Sequence, residues 1–98
     1  MICTIKQICR VCYTRNRVED QLIPHRTCIL QDEEGNEYLT VLHGEDAEMP
    51  WHVGDEVICE MTFRVKKRHG RAYQEIVVRD MALLGDFYEL LNRMEEKL

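Results

Sequence analysis

The sequence predicts an all-β fold, a five-stranded Greek-key barrel followed by a C-terminal α-helix, and three observations lead there. Val57, Cys59, Met61, Phe63 and Val65 alternate with polar residues, the period-two pattern of a strand with one buried face. A second strand-like run, Arg71 to Ala82, follows across a short turn containing Gly70, so the two read as one long hairpin. After Leu83 the apolar period lengthens to three and four residues, as in an amphipathic helix.

Taken in order, Ile2 to Tyr13 is predicted as the first strand, with Cys9, Val11 and Tyr13 on one face of its second half. Thr14 to Pro24 is a polar connection carrying Arg15 and Arg17, closed by a proline that cannot donate to a central ladder. Arg26 to Gln31 and Glu37 to His43 form a hairpin across the polar turn Asp32 to Asn36. Gly44 to His52 is an irregular link, and Gly54 and Asp55 turn the chain into the fourth strand. Gly70 supplies the positive φ that tight hairpin turns demand. The fifth strand holds Tyr73, Ile76, Val77, Val78 and Met81; its apolar doublet calls for burial on both faces or a bulge. A helix is predicted from Phe87 to Lys97, capped by Asp86 with Glu89 completing a capping box, its stripe made of Leu84, Phe87, Tyr88, Leu91, Met94 and Leu98. The division is a barrel over residues 1–84 and a helix over 85–98, packed on the barrel or on a partner.

Ninety-eight residues suit one domain able to bury a core without staples. The five cysteines are an odd number, and most lie in apolar runs, which points to reduced thiols and a cytoplasmic setting. Lys6 and Gln7 interrupt the first apolar run, and no apolar run approaches membrane-spanning length, so neither export nor a membrane is expected. The net charge of −5 hides a segregation: no lysine or arginine lies from Thr27 to Phe63, whereas Arg64, Lys66, Lys67, Arg68 and Arg71 crowd one turn.

Five strands, with a hairpin in the middle and a basic hairpin at the end, match the OB-fold. In that barrel strands two and three and the loops joining strands one to two and four to five bind oligonucleotides. Both basic clusters fall in those two loops. With Gly54-Asp55-Glu56-Val57 opening the fourth strand and Gly70-Arg71-Ala72-Tyr73 leading into Ile76-Val77-Val78, the chain resembles the OB-fold single-stranded nucleic-acid-binding proteins. In particular it is similar in pattern to the bacterial single-stranded DNA-binding proteins and their small primosomal relatives, over about Ile2 to Leu84. It departs from them in having no glycine- and proline-rich tail with an acidic tip, and only one tryptophan. The resemblance implies weakly sequence-specific binding of single-stranded DNA, with RNA as the alternative, in a homo-oligomer held through strands or the terminal helix.

The residues support that implication in their own terms. Lys66, Lys67, Arg68 and Arg71, with Arg64, Arg15 and Arg17, would neutralise phosphates; four contacts from the turn correspond to a log–log salt slope of roughly −3. Tyr73, Tyr13 and Trp51 are the candidate stacking faces. The plainer alternatives are a solvated hairpin tip and a core tyrosine, in an OB-fold that serves protein assembly with no nucleic-acid role. Cys9 and Cys12, spaced CxxC, would point to opposite faces of one strand and could not share a metal. His25, His43 and His52 read as strand-end or loop residues and His69 as solvated, while Asp32 to Glu37 reads as a solvated turn rather than a calcium loop. No serine occurs and no glycine-rich phosphate loop follows a strand, so a non-enzyme without metal or cofactor is expected.

Overall fold

A computed structural model describes residues 1–96 and contains six strands and two helices. The strands are β1 (Ile2–Ile8), β2 (Cys12–Asn16), β3 (Gln21–Asp32), β4 (Glu37–His43), β5 (Glu56–Arg68) and β6 (Arg71–Leu83). Helix α1 (Glu45–Glu48) lies between β4 and β5, and α2 (Leu84–Glu96) follows β6 directly. The ring closes as β1 on β3, β3 on β4, β4 parallel to β6, β6 on β5 and β5 back on β1. This is the five-stranded OB-fold barrel, and β2 is an addition to it that pairs with the first half of β3.

The expected first strand is therefore two strands. Strand geometry lapses between Ile8 and Cys12, where the Cys9 amide still donates to the Thr27 carbonyl at 2.9 Å, and Lys6 is already bulged out opposite Leu30 and Ile29. Beyond the break, β2 leaves the barrel with the start of β3, so the expected polar connection is a ribbon. Pro24 sits inside that ribbon opposite Tyr13, its carbonyl accepting from the Gly44 amide, where no ladder needs its missing N–H. The Arg17 to Asp20 turn at the tip is held by the Asn16 side chain, which accepts from the Val18 amide at 3.0 Å.

The core forms where inward positions of the ring meet: Cys3, Ile5, Cys28, Leu30, Leu42, Val57, Cys59, Val78 and Met81 are buried. Val78 and Met81 both face in although three apart, because the register slips between Glu60 and Met61 on one strand and Asp80 and Val78 on the other. The apolar doublet thus resolves as a bulge at Arg79. Thr40, fully buried, is satisfied by donating to the Cys28 carbonyl at 3.0 Å. Ala47 of α1 and Trp51 close the barrel, and the Trp51 indole N–H donates to the Asp46 carbonyl at 2.6 Å. Burial pushes the Cys59 thiol up to about 12, so it acts as a small hydrophobe.

Two parts leave the barrel. The β5–β6 hairpin runs past the core, so Phe63 and Val65, in line with the buried Val57 and Cys59, are 54% and 60% exposed. Helix α2 begins three residues before the expected Phe87, so Asp86 lies within its first turn rather than capping it. Glu89 accepts from Arg93 at 2.7 Å along the helix instead of completing a capping box. Lys97 and Leu98 of the expected helix lie outside the described residues. These projections give a radius of gyration of 15.6 Å, against about 13 Å for a compact chain of this length.

Candidate nucleic-acid interface

The outer face of the barrel between the two arms is built by strand alternation. Cys28, Leu30, Thr40 and Leu42 point inward, so His25, Thr27, Val41 and His43 point outward from the same strands. On the ribbon, Thr14 pairs with Ile23 and Cys12 with His25, which continues that face beyond the barrel. On the hairpin, Arg64 stands opposite Glu75, Lys66 opposite Tyr73 and Arg68 opposite Arg71, so these six share one side. Lys67 and Ala72 share the other.

The two arms and the floor between them enclose one groove of about 430 Å³, lined by Thr14, Ile23, His25, Thr27, Val41, His43, Lys66, Arg68 and Glu75. A second depression of about 380 Å³ carries it to the hairpin tip between Lys66, Arg68, His69 and Tyr73. The tip is a two-residue turn with both residues at positive φ, His69 at 51° and Gly70 at 74°, the type I′ geometry whose twist suits a long antiparallel ribbon.

Charge in the groove is positive but partly engaged. Glu75 accepts from Arg64 Nε at 2.8 Å and lies 3.9 Å from Lys66 Nζ. The Arg64 guanidinium holds the Glu75 carboxyl below its ordinary range, so it is anionic near neutral pH. Arg68 and Arg71 enter no ion pair among the described residues. His25 faces His43 directly across β3 and β4 on the floor. Burial first, and Arg64 second, lower the His43 pKa.

Of the candidate residues read from the sequence, Arg64, Lys66, Arg68, Arg71 and Tyr73 come together on one side of the hairpin. Tyr73 is half exposed, with its ring available, rather than a core residue. Arg15 and Tyr13 alternate with Thr14 and so occupy the opposite side of the ribbon. Arg15 lies 3.5 Å from Asp20, and Arg17 is exposed in the tip turn. Trp51 needs correcting as a stacking face: at 4% exposure it is core, because the link after β4 folds back to close the barrel. His25 and His43 also line the groove, and the sequence signal for their outward placement is their parity, opposite to the buried Cys28, Leu30, Thr40 and Leu42.

Elsewhere the chemistry is plain. Cys9 and Cys12 are both exposed, Cys9 just past the end of β1 and Cys12 at the start of β2, so they do not lie on one strand as expected. Even so, no group of three His, Cys, Asp or Glu side chains among the described residues is placed to hold a metal ion. Asp32 ties its own turn, accepting from the amides of Glu34 and Asn36 and from the Tyr38 hydroxyl at 2.9 to 3.0 Å. Among the described residues no helix is long and apolar enough to cross a membrane.

No protein-family model and no curated protein matches the chain significantly. Among solved structures it is similar to the second OB-fold domain of replication protein A from Methanococcus maripaludis, at 17% identity and a TM-score of 0.61, over 85% of this chain and 79% of that one. At that identity the likeness establishes the OB-fold and does not distinguish the bacterial single-stranded DNA-binding type.

Proposed function

We propose that this chain binds single-stranded nucleic acid, DNA foremost, in the groove between the β2–β3 ribbon and the β5–β6 hairpin, without strong sequence preference. The observation that carries the reading is that Lys66 and Arg68 of the hairpin line the same groove as Thr14 and Ile23 of the ribbon and Thr27 and Val41 of the floor, so cations and sheet face one channel. Lys66, Arg68 and Arg71 would track phosphates while Tyr73 stacks a base. The chain acts as a binding module rather than an enzyme, and the neighbouring domain of a replication protein supports that direction. Fluorescence anisotropy of a labelled oligothymidine, titrated at several salt concentrations, tests it. Salt-sensitive binding that competitor oligouridine displaces less well than oligothymidine is expected; a protein that leaves the oligonucleotide unbound at low salt would sink the reading.

Glu75 sets the strength of the site. Replacing Glu75 with Gln removes the anion that occupies Arg64 and Lys66, and affinity should rise about threefold to tenfold at low salt, shrinking as salt rises. Unchanged affinity would place the phosphate path away from these two residues.

Helix α2 supports a protein contact in addition. Tyr88, Leu90, Leu91 and Met94 are exposed on it, while the helix as a whole packs against β5 and β6. A second copy of the chain, burying this stripe, is the proposed occupant. Ending the chain at Gly85 should then leave a folded monomer by light scattering and circular dichroism, whereas the full chain is larger than a monomer. A monomeric full chain would remove the dimer, and an unfolded truncation would make the helix part of the core.

A further inference from the structure

The groove floor holds a pair of groups that a purely cationic channel would not need. His25 and His43 stand directly opposite each other on β3 and β4, both outward and both lining the groove. Imidazole is the one side chain whose ordinary titration falls near neutral pH, and here two lie on the floor of a groove that Lys66 and Arg68 also line. We propose that His25 and His43 form a proton-loaded phosphate contact on the floor of the groove, so that nucleic-acid binding takes up protons and tightens as pH falls. This inference rests on the nucleic-acid reading of the same groove.

The groups around the pair set its sign. Arg64, Lys66 and Arg68 come from β5, Glu75 from β6 and the Cys12 thiol from β2 opposite His25. In the free protein burial and then Arg64 disfavour the His43 imidazolium, the ionised Glu75 opposes them in part, and the net is a lowered titration. A phosphate drawn in by the hairpin cations reverses this, since an opposite charge at contact favours the protonated ring. The bound form therefore holds more protons than the free form, and affinity must rise as pH falls through the interval between the two titrations. Glu75 cannot produce the effect, because Arg64 keeps it ionised across that interval.

The test uses the full chain and a labelled oligothymidine at fixed ionic strength, from about pH 8 to about pH 5.5. Measured in a His69→Gln background, which silences the third imidazole lining the channel at the hairpin tip, affinity should rise roughly fivefold to thirtyfold, with a log-affinity slope between zero and about −2, the limit for two imidazoles. Calorimetry in two buffers of different ionisation heat, at about pH 6.5, should show net proton uptake on binding. The paired substitution His25→Gln and His43→Gln should flatten the slope and abolish the uptake, while Cys12→Ser should leave both in place. Should the paired variant fail to fold, imidazole titrations of the unaltered chain by NMR, with and without oligothymidine, decide: a raised His43 titration in the complex supports the contact, and an unmoved one overturns it. Binding at pH 8 with no pH dependence or proton uptake overturns this inference alone. Absence of binding at every pH overturns the nucleic-acid reading and this one with it.

Discussion

Alanine at Lys66, Arg68 and Arg71 together is expected to lower affinity for a single-stranded oligonucleotide about a hundredfold at about 0.1 M salt. Each phosphate neutralised on a single strand contributes about −0.7 to the log–log salt slope, so three cations account for about two units of slope and, one decade below molar salt, about two decades of affinity. The three share one side of the hairpin, and Arg68 and Arg71 face each other next to the turn. Lys67, counted with them on sequence grounds, stands on the reverse side beside Ala72, so Lys67→Ala should leave the slope unchanged. Charge density alone would predict equal losses from all four. Anisotropy titrations from low to moderate salt separate the two outcomes, and a Lys67→Ala loss equal to that of Lys66→Ala would show that the strand does not follow the groove. Circular dichroism should report an intact fold in every case, because the side chains project into solvent from a hairpin beyond the core.

The second large effect separates two aromatic residues that look alike in the sequence. Trp51→Ala should destabilise the fold by about 3–5 kcal/mol, a large fraction of the about 5–15 kcal/mol that holds a domain of this size together. The indole is 4% exposed, fills the end of the barrel beside Ala47, and is oriented by its 2.6 Å hydrogen bond to the Asp46 carbonyl. Its removal leaves a cavity and an unpaired carbonyl together. A fall in melting temperature of more than about 10 °C is expected, with oligonucleotide affinity preserved at a temperature where the variant is folded. Tyr73→Ala should do the reverse. Its ring is half exposed on the hairpin opposite Lys66, so stability should hold while affinity falls by about 1–3 kcal/mol, the worth of one stacked base. If Trp51→Ala weakened binding without a change in the unfolding midpoint, the barrel end rather than the groove would be the binding surface.

Local patterns were enough to place the second half of β3, together with β4, β5 and β6: alternation marked β5, and turn residues marked the hairpins, although the first half of β3 read as a polar connection. Turn chemistry was local in the same way: Gly70 adopts the positive φ that its position demanded. The charge segregation behind the hairpin cations could also be read directly, since it depends on order along the chain alone. Three matters needed the closed ring. Whether Ile2 to Tyr13 was one strand or two depended on β3 offering partners on both sides of a break, which no property of that stretch encodes. Whether Trp51 was a stacking face or a plug depended on where a link without periodicity returned. The pairing of His25 with His43, eighteen residues apart in sequence, arose only when β3 and β4 met in register. Local alternation assigns a residue to one face of a strand, but which faces meet, and which positions extend beyond the barrel's edge, is set by long-range pairing.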